Sequence, residues 1–249
     1  MSNTASIDLL LRTLKMPTIG MRYKQIGKQA EEGNWSFAGY LKALLETEAD
    51  ERSVRRTERL LKRSCLPEGK SLDTLDRKLL PAKVRKQISA LVEGGFVERC
   101  ENVIAFGLPG RGKTHLLAAI GRELVIHKGY SVYFSTTHKL VEQLLIAKRE
   151  LEVEKQLKKL DRFDVVILDD IGYVQQSREE VEVLFTFLAE RYERRSLMIS
   201  SNLLFSEWDK IFKDPVTTAA AIDRLVHHST ILELNNDSYR IKAAKDRKR

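Results

Sequence analysis

The sequence predicts an α/β fold, a parallel sheet covered by helices on both faces, preceded by a small all-helical region. From residue 102 onward, short apolar runs alternate with longer segments of helical periodicity. The runs are apolar at successive positions rather than at every second one, which is typical of strands buried on both faces. Residues 5–63, in contrast, keep apolar spacings of three and four throughout.

Each element follows from local signals. About three helices are expected in the N-terminal region, because Pro17 and residues 31–36 interrupt its periodicity. We expect a helical domain at 1–64, a linker at 65–80 and a second domain at 81–249, which begins with a helix from Pro81 to the glycine pair at 94–95. The remaining predicted elements are a strand at 102–107, a helix at 113–128, a strand at 130–136, a helix at 137–160, a strand at 164–172, a helix at 178–194 and a strand at 196–202.

Composition narrows the class of protein. The 249 residues are 43% hydrophobic and 31% charged, with neither an apolar run long enough to span a bilayer nor the pattern of a signal peptide. Cys65 and Cys100 lack metal-ligand spacing, which fits free thiols in the cytoplasm. The formal charge of +8 favours an anionic partner, of which nucleic acid is the usual one, but charge alone does not separate nucleic acid from a ribosome, a membrane surface or mere solubility.

A glycine-rich turn between the first strand and its helix predicts a nucleotide site. The letters GLPGRGKT at 107–114 fit the P-loop pattern, in which backbone N–H groups cradle phosphates. Lys113 would reach the β- and γ-phosphates of ATP, and the Thr114 hydroxyl would ligate Mg²⁺. A glycine-rich turn with an idle lysine is the alternative. The candidate nucleotide contacts are Gly107, Pro109, Gly110, Arg111, Gly112, Lys113, Thr114 and His115.

Two further strand ends carry polar residues suited to ATP hydrolysis. Asp169 and Asp170 end a buried strand, where Asp169 would hold Mg²⁺ and Asp170 would orient or deprotonate the attacking water. Asn202, after the next strand, would fix that water or sense the γ-phosphate. The alternatives are exposed turn aspartates and a turn-forming asparagine.

An alanine-rich helix near residue 220 presents Arg224. An arginine donated by a neighbouring subunit could neutralise the γ-phosphate there, whereas the simpler interpretation is a surface ion pair. His227 and His228 lack convergent partners for a metal and are expected to be structural.

Together these motifs resemble the IstB-like AAA+ ATPases, the ATP-binding helpers of insertion-sequence transposases within the helicase-loader branch. The similarity covers nearly the whole chain and is carried by residues 9–23, 96–121, 168–173, 200–208 and 221–240. It implies Walker A roles for Lys113 and Thr114, and Walker B roles for Asp169 and Asp170. It also implies that Asn202 is a sensor and Arg224 an arginine finger.

The resemblance also implies ATP and Mg²⁺ as cofactors and self-association into a ring or spiral. The implied partners are duplex DNA, bound largely without sequence preference, and a cognate transposase. The chain departs from the pattern because Asp170 replaces the usual glutamate. It also ends soon after Arg240, the candidate second sensor, so a truncated lid is expected. Ser135 or Thr136 is the candidate polar switch.

Basic residues suggest where DNA binds. Arg52, Arg55, Arg56, Arg59, Lys62 and Arg63 fall on one side of a predicted helix; we call them the basic stripe. A solvated helix face is the alternative. Further candidates are the tail at 240–249 and, as pore contacts, Lys148, Arg149, Lys158 and Lys159.

Three other functions share the P-loop. A replicative helicase loader would bind a hexameric helicase and single-stranded DNA, and its N-terminal region would differ. A small-molecule kinase usually places lid arginines and an acceptor pocket after the core, where this chain has Asn202 and Arg224. A non-hydrolysing ATP switch is the third.

Overall fold

The computed structural model describes residues 2–172, 177–212 and 214–235, which form two compact units, Met1–Arg59 and Leu60–Arg249. The expected lid, the second-sensor candidate Arg240 and the basic tail lie outside the described residues. No helix within the described ranges is long and apolar enough to cross a membrane.

The first unit consists of helices, as the sequence predicted. They are α1 (Ser2–Thr13), α2 (Pro17–Glu32) and α3 (Phe37–Ser64), whose last residues belong to the second unit. The unit has a small core around Ile19, Ile26 and Leu44.

Glu48 joins α3 to the start of α2. Its side chain, 5% exposed, accepts hydrogen bonds from the backbone N–H groups of Thr18 (2.8 Å) and Ile19 (3.1 Å), and the guanidinium groups of Arg52 and Arg55 lie 3.4 and 3.2 Å away. Burial alone would raise the pKa of Glu48. The two backbone hydrogen bonds and Arg52 outweigh that effect and hold the pKa below its ordinary value of 4.5.

Glu48 is expected to make the first unit sensitive to acid. A carboxyl whose pKa is lower in the folded state stabilises the fold above its unfolded pKa, and this contribution is lost as the pH falls through the lower, folded value. Glu48→Gln should cost about 1–3 kcal/mol at pH 7 and weaken the acid dependence. Circular dichroism during urea unfolding at pH 7 and pH 4 measures both. Glu46→Gln, at an exposed position of α3 paired with Lys42, is the control; equal effects of the two variants would contradict the prediction.

The second unit contains a five-stranded parallel sheet with strand order β2-β3-β4-β1-β5. The strands are β1 (Asn102–Phe106), β2 (Val132–Thr136), β3 (Val165–Asp169), β4 (Ser196–Ser201) and β5 (Ser229–Glu233). The parallel sheet confirms the predicted fold class. β5 was not predicted, because this edge strand mixes Ser229, Thr230 and Glu233 with only two apolar residues.

Helices cover both faces of this sheet. They are α4 (Ala82–Val92), α5 (Gly95–Glu98), α6 (Lys113–Lys128), α7 (Thr137–Arg149), α8 (Val153–Leu160), α9 (Arg178–Arg191), α10 (Asp209–Phe212) and α11 (Pro215–Val226). Alternate residues of each central strand face opposite cores. In β1, Val103 and Ala105 pack with α4 and α6, whereas Ile104 and Phe106 pack with α7, α9 and α11.

The single helix predicted at 137–160 was wrong, because the chain breaks between α7 and α8. Leu151 adopts φ +58°, and the Glu152 N–H bonds the Ala147 carbonyl at 2.7 Å, as at a helix C-terminus. Leu151 continues the apolar period of Leu140, Leu144 and Ala147, so the pattern indicated continuity. It is 94% exposed instead.

Residues 65–80, the expected linker, lie within the second unit and contribute to its core. Leu72, Leu75 and Leu80 are buried in the same core as Val103, and residues Arg77–Leu79 form a 3₁₀ turn. The division of domains at residues 64 and 81 stays a prediction.

Candidate functional site

The loop between β1 and α6 has the backbone shape expected of a phosphate cradle. Gly107, Gly110 and Gly112 all have positive φ. At Gly107 (φ +153°) a Cβ atom would lie 2.6 Å from the Leu234 carbonyl oxygen just after β5, so no side chain fits there. The backbone that follows the neighbouring strand β5 therefore requires glycine at position 107.

Lys113 begins α6 and points into the loop. Its side chain is buried, and Nζ donates hydrogen bonds to the carbonyl oxygens of Gly107 (2.6 Å) and Leu108 (3.3 Å). The loop thus surrounds a cation, which suits it to an anionic ligand.

At the end of β3, the two aspartates are linked by a serine that the sequence analysis did not single out as functional. The Ser200 hydroxyl donates to Oδ1 of Asp169 at 2.7 Å and accepts from the Asp170 N–H at 2.8 Å. Ser200 and Asp169 are both buried, and the Asp170 backbone is left-handed with φ +57°. Ser200 therefore fixes one carboxylate directly and the other through its backbone.

Asn202 follows β4 beside Gly172. A Cβ at residue 172 would lie 2.5 Å from Oδ1 of Asn202, so glycine permits this close approach. Oδ1 is buried and has no hydrogen-bond partner among the residues that the structure describes. A buried acceptor of this kind is costly unless a ligand or water completes it.

Strand register brings these groups to one edge of the sheet. Phe106 pairs with Ser201, and Leu168 pairs with Ile199, so the strand ends before Gly107, Asp170 and Asn202 are adjacent. Ligands bind at this carboxyl edge in open α/β sheets.

Other predicted residues have partners outside the loop. His115 Nε2 lies 3.0 Å from the Ser71 carbonyl and 3.1 Å from the Thr74 hydroxyl. Pro109, Arg111 and Thr114 lie in the loop or the first turn of α6.

Of the two candidates for the polar switch, Ser135 donates a hydrogen bond to the Thr136 carbonyl, and the Thr136 hydroxyl caps α7. Thr137, not singled out by the sequence, donates to the Asp169 carbonyl at 3.1 Å.

Arg224 lies at the opposite edge of the sheet. The carbonyl of the next residue, Leu225, accepts from the Asn102 side chain at the start of β1, whereas the phosphate loop follows the end of β1. The guanidinium lies 4.9 Å from the ring centre of Phe185 in α9 and donates to the Ala220 carbonyl at 3.4 Å. Arg224 thus lies a strand length away from the loop of its own subunit.

The basic stripe lies on α3, and the structure gives some of its members internal partners. Arg52 and Arg55 contact Glu48, and Arg52 also donates to the Lys15 carbonyl at 2.8 Å. Arg56 and Arg59 follow in the first unit, whereas Lys62 and Arg63 belong to the second, where Arg63 lies over the Phe163 ring.

The pore candidates are likewise partly paired. Lys148 contacts Glu182 of α9 at 2.9 Å, and Lys158 contacts Glu154 within α8 at 3.6 Å. Arg149 ends α7, and Lys159 lies in the last turn of α8.

The donor groups at the carboxyl edge fit a magnesium nucleotide. The Thr114 hydroxyl and the Asp169 carboxylate are hard oxygen ligands of the kind Mg²⁺ prefers. The buried ammonium of Lys113 suits phosphate, and the unpartnered Oδ1 of Asn202 is available to a water molecule.

Comparisons with known proteins agree with this geometry. A Sinorhizobium fredii protein carries the name of an insertion sequence ATP-binding protein, given there as a proposed function. It is 44% identical to this chain over 246 residues, which cover 98% of this chain and 82% of the relative. A protein of Pseudomonas aeruginosa named as the ATP-binding protein of insertion sequence IS21 is 39% identical, and the match covers 95% of this chain and 89% of the relative. The crystal structure of the DnaC helicase loader has a TM-score of 0.59 at 20% identity, covering 68% of this chain and 98% of that one.

The five-stranded parallel sheet with flanking helices gives this chain a fold similar to that of the DnaC helicase loader. The model of the IstB-like ATP binding protein family matches residues 9–247, and family and fold together support an ATPase. The chain therefore belongs to the IstB-like family of ATP-binding proteins.

Proposed function

We propose that this protein is an ATP-dependent, DNA-binding helper of a transposase, which assembles on duplex target DNA and regulates transposition of an insertion sequence. The observation that carries the ATPase part is the meeting of Lys113, Asp169, Asp170 and Asn202 at one sheet edge. The relatives named for insertion sequences support the transposition part.

The proposed chemistry is phosphoryl transfer from ATP to water. Lys113 would bind the β- and γ-phosphates, and Thr114 and Asp169 would hold Mg²⁺, which would offset charge on the phosphate oxygens as ADP leaves. Asp170 accepts a proton from the attacking water or orients it, and Oδ1 of Asn202 accepts a second hydrogen bond from it.

Ser200 is proposed as a positioning residue for both aspartates. Ser200→Ala should lower kcat for ATP by about 10–100-fold with a smaller change in KM, as for other residues that orient metal ligands. Steady-state ATPase measurements check this. Ser196→Ala, at the far end of β4, is the control, since its hydroxyl donates to the Phe96 carbonyl at 3.4 Å, away from both aspartates. A kcat equal to wild type in Ser200→Ala would rule out this role.

Arg224 is proposed to act on the nucleotide of a neighbouring subunit, because it lies at the sheet edge opposite its own loop. A subunit-mixing experiment tests this together with the oligomer. Lys113→Ala and Arg224→Ala should each lose ATPase activity stimulated by duplex DNA. An equal mixture should recover about a quarter of the wild-type rate, because a quarter of head-to-tail contacts then join an intact loop to an intact arginine.

The double variant Lys113→Ala/Arg224→Ala, mixed with Arg224→Ala, should recover nothing. Full activity of Arg224→Ala alone, or a mixture no more active than its components, would exclude the shared site.

The basic stripe is proposed to contact DNA phosphates. The test uses Arg56→Ala and Arg59→Ala, because replacing Arg52 or Arg55 would also remove a cation from Glu48. Each alanine variant should weaken binding equally for two duplexes of unrelated sequence. Each should also make the fall of log K, the logarithm of the binding constant, with log salt concentration less steep by about one. Fluorescence anisotropy at several salt concentrations measures this. Lys42→Ala on the same helix is the control, and an equal loss there would reject the stripe.

The alternative is a replicative helicase loader. Pull-down with the cognate transposase and with a hexameric helicase separates the two functions, and retention of the helicase alone would favour the loader.

A further inference from the structure

Three metal-ligating side chains meet at the sheet edge opposite the phosphate loop. Glu193 follows α9, and His227 and His228 follow α11; one ligand atom from each lies within 4.8 Å of the other two. All three residues are exposed, so the group is open to solvent ions. The two histidines seemed unpartnered in the sequence because Glu193 reaches them only through the fold.

The backbone under this cluster is held in place on both sides. In the turn after α9, the N–H groups of Arg194 and Arg195 bond the Arg191 carbonyl at 3.1 and 3.0 Å. After α11, the Asn102 N–H bonds the His228 carbonyl at 2.8 Å, and the His227 N–H bonds the Asp223 carbonyl at 3.0 Å. The three side chains therefore project from anchored positions.

The hydrogen bonding of His227 favours a ligand at its outer nitrogen. Its Nδ1 lies 3.2 Å from the Tyr192 hydroxyl, and in the tautomer in which Nδ1–H donates to that hydroxyl oxygen, Nε2 carries the lone pair needed for coordination. A hydrogen bond to the second ring nitrogen is the usual support for a metal-bound histidine, because it fixes ring orientation and tautomer. The imidazole rings of His227 and His228 lie 4.1 Å apart, on the same side of the turn.

The arginines next to Glu193 are bound elsewhere. Arg194 contacts Asp161 at 2.9 Å and Glu190 at 3.2 Å, and Arg195 contacts Asp164 at 3.1 Å. These ion pairs hold the two neighbouring arginines at other carboxylates, whereas the Glu193 carboxylate lies beside the histidines.

We propose that Glu193, His227 and His228 bind a divalent transition-metal ion of the Zn²⁺, Co²⁺ or Ni²⁺ type. Two imidazole nitrogens and one carboxylate are a donor set for these ions, with one or more positions left to water. Ligand atoms of a tetrahedral site lie about 3.3 Å apart, so modest side-chain rotations from the 4.8 Å spread would close the site. Binding would link the end of α11, the helix that carries Arg224, to the turn after α9.

Titration of the full-length chain without a polyhistidine tag tests this site, with Co²⁺ absorption as the direct probe and Zn²⁺ competition against a chromophoric chelator as the second. Wild type should bind one equivalent. Glu193→Gln and His228→Gln should each bind at least about 10-fold more weakly. His127→Gln should bind as wild type does, because His127 is also exposed but faces only Glu123, at 3.2 Å.

Thermal unfolding keeps the test independent of activity. With a chelator present, the variants should have the Tm of wild type, and Zn²⁺ should raise the Tm of wild type and His127→Gln only. Equal metal affinity in wild type and Glu193→Gln, or the same loss in His127→Gln, would overturn the proposal.

Discussion

Lys113→Ala is expected to lower ATP turnover by at least about 100-fold, the usual effect of removing one preorganised donor from a charged transition state. The buried ammonium lies 2.6 Å from the Gly107 carbonyl, at the centre of the loop. Alanine removes the Lys113 ammonium, the positive charge proposed to bind the β- and γ-phosphates. It also removes the two hydrogen bonds that shape the loop around a cation.

Measuring turnover and the affinity for a non-hydrolysable ATP analogue separates chemistry from binding. Lys128→Ala is the matched control, because Lys128 ends the same helix and pairs with Glu93 at the surface. The Tm of both variants should stay near that of wild type. Turnover in Lys113→Ala within a few-fold of wild type would remove this loop from the catalytic site.

Arg191→Met is expected to cost about 3–5 kcal/mol of folding free energy, the range found when one partner of a buried charged network is removed. Arg191 is 2% exposed and donates to four carbonyl oxygens, those of Leu160, Phe163, Asp164 and Ser196, at 3.0–3.3 Å. Burial lowers its pKa to about 10, so it remains a cation at neutral pH. Methionine fills the volume but removes one donor from each of those carbonyls, of which Leu160 and Asp164 keep a backbone N–H partner.

Urea unfolding and Tm measure this cost, with a fall in Tm of roughly 10 °C expected for a chain of this size. Arg194→Met is the control: Arg194 is an exposed neighbour whose ion pairs with Asp161 and Glu190 lie at the surface, and its loss should cost less than about 1 kcal/mol. Equal destabilisation by the two variants would show that the buried network contributes little.

The sequence identified the candidate nucleotide-site residues more readily than the residues that hold them in place. Strong local signals predicted the fold class and the helix at 113–128, because the P-loop pattern and buried parallel strands have short-range signatures. Ser200 could not be assigned, since both of its partners lie on a neighbouring strand. The assignment of Arg224 depended on family resemblance, and the opposite-edge position gives it a separate physical argument.

Other differences come from tertiary contacts that spacing alone does not reveal. Leu151 fits a helical period and yet marks a break. The basic stripe was expected to contact DNA, with a solvated helix face as the alternative. The structure adds that Glu48 pairs with two of its members, Arg52 and Arg55, and the spacing of four between Glu48 and Arg52 was a visible signal of that pairing. Glu193 joins the two histidines only because α9 and α11 end at the same edge.

The place of β4 between β1 and β3 has a consequence for how this chain can change in length. β1, which precedes the glycine-rich loop, and β3, which ends at Asp169, do not pair with each other. The register of each is set by β4, through Phe106–Ser201 on one side and Leu168–Ile199 on the other. The exposed corner at Leu151, between α7 and α8, can therefore gain or lose a residue without shifting Lys113 relative to Asp169. A one-residue deletion within β4 itself would displace both strands' partners at once.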